Sequence, residues 1–308
     1  MITKEAQNKT AYTLHKYFFN SARSAFKQLL QTILMPNDII LIPAYIGQSA
    51  REGSGVFDPI RQTNTKYLFY KINSDLSVNT KDLFKKLKNP KVKAVLLIHY
   101  FGFPQKNIFK IKEECQKRKV YLIEDCAHTF CSRVNGILCG TIGDFALHSI
   151  HKLIAADDGG ILTVNRPNIE IQIKNSNKIS LETLTCYANT DIEKTAQVRC
   201  RNYNMYLDLL SKNARNYTIM FPELPEGVVP LNFPILIKNY KREKYYYDLI
   251  DKGIITVSLY YRMIDELDSV LYPEAFELSE HILNLPVHQD ILPEDIEEIV
   301  MKMGELEK

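Results

Sequence analysis

The feature that most narrows the folds open to this chain is a series of short apolar runs, each of strand length. They are IILIPAY (39–45), YLFYKI (67–72), KAVLLIH (93–99), VYLIED (120–125), FALHSI (145–150) and ILTV (161–164). Runs that are apolar along their whole length suit strands covered on both faces, as in parallel sheets flanked by helices. The stretches between several of them repeat apolar residues at helical spacing. In AFKQLLQTILM, Phe26, Leu29, Leu30, Ile33 and Leu34 form one face, and VNTKDLFKKLKN and residues 107–119 read the same way. Strands alternating with helices of about a dozen residues define βαβ units. The expected fold class is therefore α/β, a large domain (1–190) with a mainly parallel central sheet. Beyond a polar connection at 165–190, a smaller C-terminal α+β domain (191–308) is expected from a helix at 191–212, strands NFPILI and ITVSLY, a helix near 241–251 and a last amphipathic helix in PEDIEEIVMKM. Residues 1–19 read as an arm or short helix.

In open sheets of this kind ligands bind outside the carboxyl ends of the strands. Asp125 ends one apolar run, and Lys152 follows the next. An amine and a carboxylate so placed suit pyridoxal phosphate, whose aldehyde needs a lysine for its Schiff base and whose pyridine nitrogen needs an anion to stay protonated. A lysine beside apolar strands is partly desolvated, which favours the neutral, nucleophilic amine. Taken alone, such a pair is more often a loop lysine and a helix-capping aspartate.

Other segments add candidates of unequal weight. Asn20-Ser21-Ala22-Arg23-Ser24 opens a helix, where exposed N–H groups and the dipole attract phosphate, with Arg23 and Ser24 able to add a charge and a hydroxyl. The plainer role for Ser21 or Ser24 is an N-cap. Tyr45 follows a strand and either stacks on a ring or packs in the core. His128 lies three residues beyond Asp125. Ser149 and Lys152 form an S-x-x-K spacing that can set a hydroxyl near the phosphate; serine hydrolases of the penicillin-binding class share it, but no SDN or KTG companion follows here.

Composition excludes several alternatives. The 39 basic and 36 acidic residues leave a net charge of +3, no electrostatic case for nucleic acid. The six cysteines, at 115, 126, 131, 139, 186 and 200, form neither a CxxC nor a metal-ligand spacing, so no metal is expected and reduced thiols suit the cytoplasm. The amino terminus lacks a signal-peptide core, and no apolar run is long enough to span a membrane.

Taken in order, NSARSAF, PNDIILIPAY, KAVLLIHYFGFP, IEDCAH, GDFALHSIHK and DGGILTV, followed by LNFPILI and LNLPVHQ, resemble the DegT/StrS family of pyridoxal-phosphate-dependent sugar aminotransferases. The resemblance implies a fold-type I aminotransferase architecture and a homodimer. It makes Lys152 the residue that holds the cofactor and shuttles protons, with Asp125 on the pyridine nitrogen and His128 near the ring. Arg23, Ser24 and Ser149 fall in its phosphate-binding segments. The activity implied is transfer of an amino group from a donor such as glutamate to a keto substrate, typically a nucleotide-linked keto sugar for surface polysaccharide or secondary metabolites. Related lyases or dehydratases, and a non-catalytic scaffold, are the alternatives; the dehydratase branch has histidine in place of the lysine, and here Lys152 is present beside His151. Three departures mark a shortened, divergent member. The stretch before Lys152 is about two residues shorter than in the better-known enzymes, Arg23 stands where a small residue or threonine is usual, and 164–199 lacks much of the segment that reaches a neighbouring subunit's phosphate.

Overall fold

The computed structural model describes residues 15–50, 53–210, 214–239, 241–257 and 259–306. In chain order the elements are β1 (His15–Phe19), α1 (Ala22–Ile33), β2 (Ile39–Pro43), α2 (Phe57–Gln62), β3 (Lys66–Tyr70), α3 (Thr80–Lys86), β4 (Val92–Ile98), α4 (Ile108–Lys117), β5 (Tyr121–Asp125), β6 (Arg133–Val134), β7 (Ile137–Leu138), β8 (Phe145–Ser149) and β9 (Gly160–Val164). Then follow α5 (Leu181–Asn189), α6 (Ile192–Leu209), β10 (Tyr217–Ile219), β11 (Asn232–Ile237), α7 (Arg242–Asp251), α8 (Pro273–His281), β12 (Ile282–Pro286) and α9 (Pro293–Leu306).

Seven strands form the main sheet in the order β1-β9-β8-β5-β4-β2-β3. The five from β8 to β3 are parallel, whereas β9 runs against β8 and β1 against β9. The sheet is thus α/β and mainly parallel. Along β4 every residue but Lys93 is buried, and β8 and β9 are buried throughout, as strands covered on both faces must be. Helix α1 packs Ala25, Phe26, Leu29 and Leu30 inward, and burial of each of the three larger side chains contributes roughly 1.5–3 kcal/mol.

The helix also lies hard against the start of β9. A Cβ on Gly160 would sit 2.2 Å from the backbone N of Ala22 and the carbonyl carbon of Ser21, so only glycine allows the contact. That approach brings the open N–H groups of α1 to the carboxyl end of β8, where the site lies.

A second, antiparallel sheet β10-β11-β12 has its own core with α6, α7 and α9, built on Tyr203, Tyr206, Phe233, Tyr245, Leu285 and Ile296. Residues between α7 and β12 return to the first core: Met263, Ile264, Leu267, Ala275 and Leu278 all pack there.

Several local expectations change. Of the expected arm, residues 1–14 lie outside the described residues, and 15–19 form a strand paired with the distant β9, His15 with Val164 at one end and Phe19 with Gly160 at the other. Its Tyr17-Phe18-Phe19 run is too short for a periodic signal. The polar connection at 165–190 contains α5, capped by Ser180. ITVSLY forms no strand: Val257 makes an isolated bridge to Asn284, and Ser258 is outside the described residues. Helix α8 and the short strands β6, β7 and β10 were not signalled by pattern.

Candidate active site

Strands β5 and β8 are hydrogen-bonded neighbours, with Asp125 opposite Leu147. Asp125 is the last residue of β5, and Lys152 ends a single 3-10 turn, Ile150–Lys152, that leaves β8. The two side chains meet on one cavity of about 540 Å³, a volume in the range of small-ligand sites. Arg23, His128, Ser149 and Tyr260 are among its other walls.

The β4–α4 turn sets the protonation of the pair's third member. Phe101 has a left-handed φ of 56° and Gly102 one of 99°. In this conformation the Phe101 N–H donates to His128 Nδ1 (3.1 Å). With its Nδ1 lone pair engaged, a neutral His128 carries its proton on Nε2. Nε2 lies 2.8 Å from Lys152 Nζ, which fixes the amine against the ring. His128 is buried, and burial, assisted by the charge of Lys152, holds its pKa well below the ordinary histidine value. The ring is therefore neutral near pH 7.

Asp125 accepts the Ala127 N–H (2.9 Å). Burial raises its carboxyl pKa, although that hydrogen bond and the charge of Lys152 oppose the shift. A carboxylate so placed gains from any cation that enters the cavity. Beneath it, His99 Nδ1 accepts the Gln105 N–H (3.0 Å), which leaves Nε2–H to donate to Glu124 (3.2 Å). Glu124 also accepts the N–H groups of Gly140 (2.9 Å), Ile142 (2.9 Å) and Gly143 (2.5 Å). His99, Glu124 and Cys126 form a group of the composition that binds metals, but these bonds commit both the imidazole and the carboxylate to the fold.

The cavity's other end is cationic and rich in N–H groups. Ser21 caps α1 by accepting the Ser24 N–H (3.1 Å), and Arg23 follows in the first turn. Arg23 Nε is buried with no hydrogen-bond partner among the described residues, a donor waiting for an acceptor. Ser149 Oγ lies 3.3 Å from His151 Nδ1 at the same wall. An orphaned guanidinium nitrogen, an open helix start, a hydroxyl, a burial-stressed carboxylate and an amine form a donor set that fits pyridoxal phosphate.

Two of the sequence candidates lie elsewhere. Ser24 is not among the cavity's lining residues; its hydroxyl accepts from Ser21 Oγ (3.0 Å). Tyr45 is fully buried and lies behind the wall, its ring stacked on Tyr260 at 4.9 Å and 14°. Tyr260 faces the cavity in its stead. It reaches the site because residues 262–264 pair with the loop after β2, through Gln48 N–H to Arg262 O and Ile264 N–H to Ile46 O, both 3.0 Å. A Cβ on Gly47 would come within 3.1 Å of the Tyr260 ring. The sequence signal for Tyr260 is faint, a tyrosine in a weak apolar run more than a hundred residues beyond Lys152.

Fold and cavity together define a class. The chain superposes on the aminotransferase PseC of Helicobacter pylori, described as acting in pseudaminic acid biosynthesis, with a TM-score of 0.80 over 94% of this chain and 86% of that one, at 18% identity. Against TlmJ of Streptoalloteichus hindustanus the TM-score is 0.77, with 95% and 87% coverage at 20% identity. The architecture is that of the fold-type I aminotransferases. Residues 54–189, which hold Asp125, His128, Ser149 and Lys152, match the model of the DegT/DnrJ/EryC1/StrS aminotransferase family. Relatives include dTDP-4-dehydro-2,3,6-trideoxy-D-glucose 4-aminotransferase of Saccharopolyspora spinosa, 30% identical over 155 residues, 49% of this chain and 38% of the relative. GDP-perosamine synthase of Vibrio cholerae is 36% identical over 92 residues, 29% of this chain and 24% of the relative. The chain thus spans well under two thirds of the length of these relatives.

Proposed function

We propose that the protein is a pyridoxal-phosphate-dependent aminotransferase that takes the amino group of an amino acid, glutamate by preference, and gives it to the keto group of a nucleotide-linked sugar. The observation that carries this reading is the meeting of Lys152, held 2.8 Å from His128, with the half-buried carboxylate of Asp125 on one cavity. Support for the cofactor also comes from a Streptococcus pneumoniae protein of the same fold, solved in a PLP form and a PMP form, at a TM-score of 0.80 and 15% identity. Support for a keto sugar comes from the names of the Saccharopolyspora and Vibrio relatives.

When bound, the cofactor supplies an electron sink and a carrier for the amino group. Asp125 would pair with the pyridine nitrogen and keep it protonated, recovering the cost of its own desolvation. Arg23, Ser149 and the N–H groups at the start of α1 would hold the phosphate, with Ser21 rather than Ser24 nearest to it. Lys152 Nζ would hold the cofactor's aldehyde carbon and would move a proton to and from the substrate carbon. His128 keeps that nitrogen aimed, and Tyr260 bounds the cavity, with Tyr45 supporting it from behind.

The same reading takes residues 1–190 as the cofactor-binding domain and 191–308 as a second domain packed on it, supported by the separate core under β10–β12. It makes the protein a cytoplasmic homodimer. The six free cysteines suit a reducing compartment, and among the described residues no helix is long and apolar enough to cross a membrane.

The test is chemical trapping. Borohydride reduction of protein loaded with pyridoxal phosphate should fix the cofactor on Lys152 in peptide maps, and Lys152→Ala should lose the label. Glutamate without acceptor should then give one equivalent of 2-oxoglutarate per site. Labelling of a different lysine, or none, overturns the assignment.

A further inference from the structure

The backbone of Lys152 is held from the far part of the chain. The 3-10 turn closes with the N–H groups of Leu153 and Ile154 both donating to Ile150 O (3.0 Å each), so the carbonyls of Lys152 and Leu153 look outward for donors. Both find them. Arg199, in α6, donates from Nη2 to Lys152 O (3.3 Å). Gln289, beyond β12, donates from Nε2 to Leu153 O (3.2 Å). The two donors are tied together, Arg199 Nη2 to Gln289 Oε1 at 3.2 Å, and Arg199 Nη1 reaches Leu231 O at 3.1 Å.

Arg199 is an unusual group to bury. It is 3% exposed, no ion pair among the described residues includes it, and its Nε is buried without a partner. Burial lowers its pKa, with Cys131 and Asp290 opposing the shift. A space of about 10 Å³, room for one water at most, is lined by Arg199 together with Lys152, His128 and Cys131. A guanidinium buried among carbonyls rather than carboxylates gains little stability for its desolvation. What it does provide is geometry: a rigid fork that fixes several acceptors at once.

We propose that Arg199, seconded by Gln289, is the positioning residue of the catalytic lysine, locking the 150–153 turn so that Lys152 Nζ meets His128 Nε2. The proposal rests on the reading of Lys152 as the cofactor lysine but concerns a property the protein has without cofactor. With the clamp broken, the turn rotates, Nζ leaves His128, and the amine takes up a proton in water. The lysine then reacts only at higher pH.

Competitive labelling of amines in cofactor-free protein, with an acylating reagent and mass-spectrometric readout from pH 6 to 10, measures this directly. Arg199→Met should cut labelling of Lys152 at pH 7 about tenfold against exposed lysines of the same sample and restore it near pH 10. Arg199→Lys, which keeps a donor, should recover part of the loss, and Gln289→Ala should shift the profile in the same direction by less. Folded Arg199→Met with an unchanged profile overturns the proposal. Should that variant not fold, an unchanged profile in Gln289→Ala overturns it equally. The wild-type profile combined with failure to bind pyridoxal phosphate would instead count against the functional reading and leave the clamp standing.

Discussion

Asp125→Asn should make the free protein more stable and the cofactor bind less well, two effects of opposite sign from one atom. The Ala127 N–H that Asp125 accepts at 2.9 Å remains satisfied by the amide oxygen of asparagine. What disappears is the charge. In the free protein burial is the largest influence on that carboxyl and raises its pKa, so the ionised form is a net cost to folding at neutral pH. Each kcal/mol of that cost removed should raise Tm by about 1.5 °C for a chain of 308 residues. The cofactor's protonated nitrogen loses a charge-assisted hydrogen bond, about 1.5–3 kcal/mol, or roughly 10- to 100-fold in affinity.

The sign of the pH dependence follows. An acid whose folded pKa exceeds its unfolded value destabilises the fold above the folded pKa and not at all below the unfolded one, about 3.9 for aspartate. The stability gap between Asp125→Asn and wild type should therefore be absent in strong acid and widen as the pH rises through the raised pKa. Thermal unfolding of cofactor-free protein across pH, with parallel titrations of pyridoxal phosphate, measures both effects. A variant that is less stable than wild type at pH 7, or that binds the cofactor equally well, refutes the argument.

Gly160→Ala places a methyl 2.2 Å from two backbone atoms of Ser21 and Ala22, which cannot swing aside as a side chain can; the cost should reach or exceed about 3 kcal/mol in denaturant unfolding and take phosphate affinity with it. Glu124→Gln turns an amide toward backbone donors and breaks the pair with His99, at a cost of about 3–5 kcal/mol. Burial pushes the Glu124 carboxyl up, but the bonds from His99, Gly143 and Gly140 outweigh it and hold the pKa below the usual range. Its stabilisation is thus full above about pH 4.3 and fades as the pH falls through the lowered folded value, so the gap between variant and wild type should narrow in acid. Gly47→Ala presses on the Tyr260 ring from 3.1 Å; cofactor affinity should fall several-fold and the near-ultraviolet tyrosine signal should change, readable because the chain has no tryptophan.

How much of this was legible beforehand depends on distance along the chain. The α/β class followed from runs such as KAVLLIH and VYLIED because burial on both faces leaves a mark inside each segment. Asp125 and Lys152 were legible because a parallel sheet converts a position at the end of a run into a position at the site. His128 was found as a neighbour, but its role depends on the Phe101 N–H, 27 residues away and delivered by a left-handed turn. Ser24 and Tyr45 lie outside the cavity lining for a related reason. Sequence shows which residue types flank a helix start or a strand end, while a cap bond to Ser21 or a stack on Tyr260 decides which way each side chain turns.

The groups that sequence could not reach share one property: they act on the site from α6 and beyond. Tyr260 and Arg199 come from segments with no motif of their own, and Gln289 ends LNLPVHQ, a run whose pattern assigns it no contact; they touch the 45–50 loop, Lys152 and Leu153 by way of the folded backbone. An isolated β-sheet domain ending near residue 190 would keep Asp125, His128 and Lys152 in sequence and in strand register. It would lose the donors that fix the lysine's turn and the ring that bounds its cavity. The C-terminal part therefore builds part of the candidate site's wall and support, and substitutions at Arg199 or Gln289 should affect the chemistry of Lys152 more than the unfolding free energy of the main sheet.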